Sequence, residues 1–290
     1  MAILTTTAAI GQRESLSDTI YSIDPREVPM MSAMKKKTTS AINEEFQVQE
    51  LAAAADTNYV NEGADYSYVN PELTVRLGNI HQISVKAAQV SNTLDAVDKA
   101  GRAREEEYVK ILKGVELKKD INKSFYKNEA KSSSDPRKAG KLPSWLTNAS
   151  VPSDMAVSAG TGADVADFTG TAAALTLAKI DAAMLAAYQD GGNPTTLIMS
   201  PVNKGNFSGL SSGSVATNQI TSTAPKEASI VGSVSLYLSD FGTLNVTGRD
   251  FSVQEMAPTG DSTKFAITTE YTLIPTAPKA HAYVGGLNGS

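Results

Sequence analysis

The sequence predicts an α+β protein, and three observations carry that prediction. Two segments of period-two alternation flank a long polar stretch, and a single long helical pattern with polarised charge comes after them. The helices and strands that follow are mixed without regular βαβ repetition. At 290 residues the chain has room for one large domain or two modest ones. Hydrophobic residues make up 41% and charged residues 20%, so the expected core is thin and spread through several small sheets and helices.

Residues 1–42 are small and polar, with Ile20, Tyr21, Ile23, Val28, Met30 and Met31 scattered among prolines. Pro25 and Pro29 forbid a continuous helix, so this stretch reads as an irregular arm lying on a surface of its own subunit or of a neighbour. Lys35, Lys36 and Lys37 read as a solvated turn. Residues 43–51, NEEFQVQEL, alternate Phe46 and Val48 against Gln47 and Gln49, which is a strand with one dry face. Residues 72–77, ELTVRL, alternate again through Leu73, Val75 and Leu77. Gly78 and Asn79 break the phase as a bulge or bend would, and Ile83, Val85 and Ala87 resume the alternation on a continuing strand. Residues 43–92 thus form a long hairpin whose tip, residues 52–71, is AAAADTNYVNEGADYSYVNP. The tip is too polar for a core and too long for a tight turn, and it carries Tyr59, Tyr66 and Tyr68. A structureless loop of that length inside a compact domain would count against the flanking strands, unless it reaches across a neighbouring subunit.

Residues 103–127 form the strongest helix. Glu105, Glu106 and Glu107 open it and lysines follow, complementing the helix dipole. Tyr108, Ile111, Leu112 and Val115 make one apolar set, and Leu117, Ile121 and Phe125 make another on a rotated face, so structure is expected on both sides. Residues 129–172 are loop-rich, contain the only tryptophan, Trp145, and read as the boundary between two lobes. The second lobe opens with a helix over residues 175–189, with Leu177, Ile180, Met184 and Tyr188 on one face. Gly191, Gly192 and Pro194 stop it. A short strand over 195–199 leads to a short helix capped by Ser200 with Pro201 first. Val234, Leu236 and Leu238, a turn at 239–242, then Leu244 and Val246 read as a hairpin. Residues 264–274 are a long returning strand, and 285–290 a small-residue tail.

Composition excludes much. A net charge of −5 argues against gripping nucleic acid by bulk charge, and negligible affinity for free DNA is expected. Cysteine is absent, which removes disulfides, thiolate metal sites and a cysteine nucleophile, and fits a reducing compartment. The opening residues lack a cationic leader with an apolar core, and no window approaches eighteen consecutive apolar residues, so no membrane association is expected. The motifs present are weak. Gly209-Leu210-Ser211-Ser212-Gly213 matches a nucleophile elbow, but a capped helix rather than a strand precedes it and the only later histidine is His281, near the chain end. Gly160-Thr161-Gly162 lacks the third glycine of a dinucleotide loop and reads as a flexible loop. His81 and His281 are the only histidines, so a histidine-rich metal site is unavailable. No catalytic, cofactor-binding or metal-binding residue is assigned, and no cofactor is expected.

The order of elements resembles the major capsid protein of tailed double-stranded-DNA bacteriophages, the Hong Kong 97-like fold family. The wording that carries the resemblance is SLSDTIYSIDPREVPMMSAM at 15–34, NEGADY at 61–66, EEEYVKILKGVELKKDINKSF at 105–125 and LPSWL at 142–146. It continues with DGGNPTTLIMSPVNKGNFS at 190–208, LYLSDFGTLNV at 236–246 and TGDSTKFAITTEYTL at 259–273. The stretch between Arg249 and Thr259 is shorter than the family usually carries.

The resemblance implies an N-terminal arm at 1–42 and an extended loop at 43–92. It implies a peripheral domain at 93–172 with its spine helix at 103–127, an axial domain at 173–254, and a peripheral C-terminal part at 255–290. It implies a structural protein, not an enzyme, that assembles through hexamers and pentamers into an icosahedral shell around double-stranded DNA. Portal, scaffolding and decoration proteins of the same virus are the further partners, and assembly takes place in the bacterial host cytoplasm before the protein resides in the virion. Because no charged helical segment precedes the arm, scaffolding is expected from a separate protein. The expected inter-subunit contacts are Tyr59, Glu62, Tyr66 and Tyr68 on the extended loop and Ile20 and Tyr21 on the arm. The rival readings are an encapsulin-like nanocompartment shell, a serine hydrolase using Ser211, and a tail or decoration protein.

Overall fold

The computed structural model describes residues 28–52, 54–66, 68, 70–99, 104–210, 233–239, 243–275 and 277–288. Helices and strands are mixed through the chain, as expected of an α+β protein. The first sheet has the strand order β1 (Lys35–Thr38), β8 (Thr243–Met256), β9 (Ser262–Leu273), β4 (Gln82–Ser91). β9 runs antiparallel to both its neighbours, and β1 is parallel to β8. The long helix α3 (Glu105–Ser124) lies against β4 and β9. Its first turn is capped from a distance: the Asp95 carboxylate, on the short helix α2 (Asn92–Ala96), accepts from the Glu105 and Glu106 amides at 2.8 and 3.1 Å. The acidic first turn expected from the sequence is present, and Glu106 pairs with Lys110 one turn on at 2.5 Å.

The two apolar sets of α3 are buried unequally. Leu117, Ile121 and Phe125 are buried, and of the other expected set Tyr108, Leu112 and Val115 are half-buried while Ile111 is exposed. β4 alternates as expected, with its apolar side turned out. Ile83 and Val85 point outwards, while Lys86 points to the helix and meets Asp120 at 2.8 Å, and Gln82 and Ser84 turn to the Tyr271 hydroxyl. Period two separates two faces without saying which is inside, and the carboxylates of α3 decide it here.

The arm expectation is corrected where the structure describes it. α1 (Pro29–Ala33) is a helical turn with proline at its start, its Met30 and Met31 are buried, and the Asn122 side chain of α3 accepts from both their amides at 3.1 and 3.3 Å. Lys35, Lys36 and Lys37 form an exposed strand rather than a turn, since β8 offers an edge for β1 to pair with.

The second sheet has the order β5 (Asn148–Ser150), β10 (Ala282–Leu287), β7 (Ser233–Ser239), β6 (Pro194–Ile198). The hairpin expected between β7 and β8 does not form: β7 pairs with β10 and β6, whereas β8 joins the first sheet. Both strands alternate, but each finds its partner far along the chain. The residues 285–290 tail is corrected as well. β10 reaches Leu287 and is buried along its whole length. Its residues are small because it is covered on both faces: a Cβ on Gly285 would lie 2.8 Å from Phe168, and Gly286 has a φ of +64° with Met155 against it.

α5 (Leu177–Gln189) covers one face of the second sheet. Thr176 caps it, accepting from the Lys179 amide at 3.4 Å. Gly191, at φ +81°, ends it with paired bonds from Gly191 to Tyr188 and from Gly192 to Ala187 at 3.0 and 2.8 Å. The buried face is Ile180, Ala183 and Ala187 rather than the expected Leu177, Met184 and Tyr188, which stay exposed. The alanines let the helix axis approach Ala282 and Val284 of β10 closely, which larger side chains would prevent. α6 (Pro201–Leu210) follows β6, with Ser200 accepting from the Asn203 amide at 3.3 Å as the sequence indicated. It carries Gly209 and Leu210 of the elbow-like motif, whose Ser211 lies outside the described residues.

The loop-rich stretch between the two sheets is no mere boundary. α4 (Leu142–Trp145) places Trp145 in the main core beside Phe125, Tyr271 and Tyr283. The loop expected to be flexible wraps the indole. The Gly162 amide donates to the Ser144 carbonyl at 2.9 Å, its own carbonyl accepts from the Lys131 amide, and a Cβ at Gly162 would clash with the indole. Lys141 is buried there too, donating to Gln82 at 2.6 Å, and burial pushes its ammonium down to about 8. His281, expected at a frayed end, is buried beside β10.

Two outcomes are expected. Gly162→Ala introduces both a left-handed backbone for a Cβ residue and a clash with Trp145, and should cost about 3 kcal/mol in urea denaturation of the subunit. Burial pushes the His281 imidazole down to about 4, so its contribution is complete above the ordinary histidine value and is lost as pH falls from about 6.5 to about 4. Over that window the wild type should lose about 3 kcal/mol more than His281→Gln, read as the difference between their urea midpoints at each pH.

Candidate assembly surface

The hairpin that carries the predicted contact residues has two unlike parts, a fixed root and a bare tip. The root is β2 (Asn43–Val48) paired antiparallel with β3 (Val75–Ile80) in unbroken register from Asn43 opposite Ile80 to Val48 opposite Val75. Gly78 and Asn79 therefore lie inside β3 rather than in a bulge. Gly78 allows close approach, since a Cβ there would lie 2.8 Å from the Glu45 side chain. Asn79 is buried and joins three backbones. Its amide nitrogen donates to the carbonyls of Gly140 and Leu273 at 3.0 and 2.6 Å, and its oxygen accepts from the Gly140 amide at 2.8 Å. Lys131 donates to the Gly78 carbonyl at 2.6 Å, Thr272 to the Ile80 carbonyl at 2.9 Å, and Phe46 sets its ring 5.9 Å from that of Trp145.

The electrostatics of the root are settled within the chain. His81 is the single residue between β3 and β4, and burial pulls its imidazole below the usual range against the opposing pull of Glu270 and Glu44. Hydrogen bonds from Lys37 and Thr39, at 2.9 and 2.8 Å, hold the Glu44 carboxyl low. A cleft of about 700 Å³ opens beside the hairpin, but its cations are engaged: Arg76 with Glu45, Arg137 with Glu270, Lys131 with two carbonyls. Among the described residues no group of three or more histidines, cysteines and carboxylates is placed to hold a metal ion.

Strand pairing stops at Val48 and Val75, and every described residue from 49 to 75 is exposed. Apart from an ion pair of Glu50 with Lys279 at 2.6 Å, what order it has is local: Gln49 donates to the Glu72 carbonyl at 3.1 Å, and the Ala64 amide closes a turn on Asn61 at 3.1 Å with Gly63 at φ +81°. Tyr59, Tyr66 and Tyr68 are 82%, 74% and 93% exposed, and Glu62 lies open between them. Leu51 and Leu73, at the base of the tip, are equally bare. Isolated exposed apolar residues are ordinary, but a run of them along one excursion marks a surface that meets a partner. Ile20 and Tyr21, the arm candidates, lie outside the described residues. Sequence reasoning missed Asn79 and Lys131, which act only through distant carbonyls and leave no local pattern.

The likeness to known proteins points the same way. The family model for the SU10 major capsid protein matches residues 3–248. A major capsid protein of Escherichia phage Phieco32 is 28% identical over 122 residues, which is 42% of this chain and 35% of that protein. The chain thus spans about a third of the length of the curated relative it matches, 35%. Among solved structures, a chain of Mycobacterium phage Bobi superposes with a TM-score of 0.67 at 14% identity, covering 100% of both chains. The capsid of a native GTA particle gives 0.66 at 14% identity, over 99% of this chain and 100% of that one. The SrpI encapsulin of Synechococcus elongatus PCC 7942 gives 0.57 at 9% identity, over 99% and 97%. At these identities the superpositions establish a shared fold, that of Hong Kong 97-like capsids, and the sequence model establishes descent: the chain belongs to the SU10 major capsid protein family.

Proposed function

We propose that this chain is the repeating subunit of an icosahedral head shell, built through hexamers and pentamers around a double-stranded DNA genome. The observation that carries the reading is the bare tip on a fixed root, in a chain of a capsid family. The tip gains burial only on another molecule, and a head-to-tail contact of that kind closes into rings. Each contact need be only moderately tight, because many are made together by every subunit. The peripheral lobe is the first sheet with α3 and takes in β8, which the bounds 173–254 gave to the axial domain, and the axial lobe is the second sheet with α5 and takes in β10, which 255–290 gave to the peripheral part. The arm and the extended loop are the segments that reach neighbours. The chain performs no catalysis on this reading. Assembly takes place in the bacterial host cytoplasm, with portal and scaffolding proteins and any decoration protein supplied by the same virus.

Electron microscopy of the expressed chain should show closed shells. The variant Tyr59→Ala/Tyr66→Ala/Tyr68→Ala should keep the subunit's own stability within about 0.5 kcal/mol, as exposed positions do, yet fail to form shells. A wild type that stays monomeric at every concentration refutes the reading, as does a stability loss above about 2 kcal/mol in the variant, which would mean that the tip is buried on its own chain. The encapsulin likeness, at a TM-score of 0.57, makes the contents a second test. Particles isolated from the native source should yield DNA, and an enclosed enzyme would assign the shell to a nanocompartment instead.

A further inference from the structure

The charge of the chain is distributed unevenly. Residues 49–75 hold Glu50, Asp56, Glu62, Asp65 and Glu72 and no Lys or Arg, so the other residues balance at 26 of each sign. Within that balance, cations gather at the C-terminal end of α3. Lys119 and Lys123 are one turn apart on the helix. Lys127 continues the spacing in the turn that closes it, where its amide bonds to the Ser124 carbonyl at 3.2 Å. The row is about 12 Å long. Lys123 and Lys127 are exposed and Lys119 is half-buried.

Little in the chain neutralises this row. The carboxylates of the same half of α3 are already taken, Asp120 by Lys86 and Glu116 by Lys113, each at 2.8 Å. Lys119 and Lys123 form no ion pair with a described residue. Lys127 has to share its partner: its ammonium and that of Lys138 both lie 3.1 Å from one oxygen of Glu129. Four cations thus stand against one carboxylate. Two ammoniums on a single oxygen repel each other, and a further anion beside them relieves that repulsion.

The surroundings of the row decide what kind of anion fits. Among the large apolar side chains from residue 112 to residue 156 none is exposed, and the aromatic residues of that stretch, Phe125, Tyr126 and Trp145, are all buried. A protein interface wants an apolar or aromatic centre and is poor in lysine, so a second protein is ill matched. Single strands want open rings on which bases stack, and there are none here. Lysines alone, point charges on flexible stems, suit phosphate oxygens and read no base edge.

Resting on the shell reading above, we infer that the lysine row at the end of α3 faces the interior of the shell and binds the phosphate backbone of duplex DNA without regard to sequence. Over about 12 Å a duplex carries about seven phosphates, so the row meets several in any register. Neutralising three or four of them gives an affinity that falls with about the third power of salt concentration. Such a contact is weak for one subunit at physiological salt. Repeated on every subunit, it holds the outermost DNA against the wall without pinning any one segment.

The dilute full chain and a mixed-sequence duplex of about 20 base pairs test the surface itself. At about 20 mM salt the wild type should bind, with a slope of about −3 in log affinity against log salt. Lys119→Gln/Lys123→Gln/Lys127→Gln/Lys138→Gln should lower the affinity about tenfold or more and flatten the slope. Lys35→Gln/Lys36→Gln/Lys179→Gln/Lys204→Gln removes the same charge elsewhere and should stay within about threefold of the wild type. Melting curves establish that both variants are folded. A wild type that does not bind, or a row variant that keeps its affinity and slope, overturns the inference and leaves the shell reading standing. Lysine acylation of particles from the native source tests the placement. Lys119, Lys123 and Lys127 should be protected in DNA-filled particles and react once the DNA is released. Equal reaction in both states overturns the inference, and protection in both means that protein covers the row, which overturns it too. If no particle holds DNA, the shell reading falls and the inference falls with it.

Discussion

The side chain of Asn79 is the constraint on which the rest of this structure depends. It is one residue inside a strand, yet it ties the extended hairpin to the Gly140 loop and to the end of β9. Fully buried polar groups of this kind are costly to leave unmatched, so three good bonds fix one geometry rather than a range. The strand pairing from Val48 to Asn43 then transmits that geometry outwards. An excursion without its own core is aimed by its root alone, and a loose root would spread the tip over many directions and weaken any contact through lost entropy.

The same economy of connection appears between the two lobes. Trp145 sits in the main core under Phe46 of the hairpin, and the Gly160–Gly162 loop closes over the indole. β10 gives Ala282 and Val284 to the α5 side and Tyr283 to the Trp145 side. One strand thus belongs to both cores, and its glycines make it thin enough to do so. The lobes are therefore coupled through packing rather than through a linker.

Much of this was legible in the sequence wherever local physics decides. The caps at Thr176 and Ser200, the glycine stop at Gly191, the acidic start of α3 and the alternation of β2 are local patterns, and the structure repeats them. What local pattern leaves open was left undecided or misjudged. The outward phase of Ile83 and Val85 follows from a lysine that seeks Asp120 across the sheet, and the divergence of β7 from β8 follows from partners tens of residues away. The buried chain end looked like a tail because glycine serves both solvent-exposed turns and crowded strands. At the assembly surface the tip itself was visible as an anomaly, too long and too aromatic to be idle. Its anchors were invisible, because Asn79 and Lys131 act through carbonyls that no spacing rule connects.

A surface built to bind copies of itself has to stay soluble until it does. Three exposed tyrosines and two bare leucines on a protruding segment would invite indiscriminate association, and the edge strands nearby offer templates for it. Four carboxylates along the same segment that form no ion pair with a described residue oppose that, since two tips carrying them repel one another. The charges thus select against contact of tip with tip, while the aromatic area is left free to hold a contact with a surface that does not repel it. Specificity and solubility come from one set of residues, which is why the net charge of the whole chain resides in a segment that contributes nothing to its core.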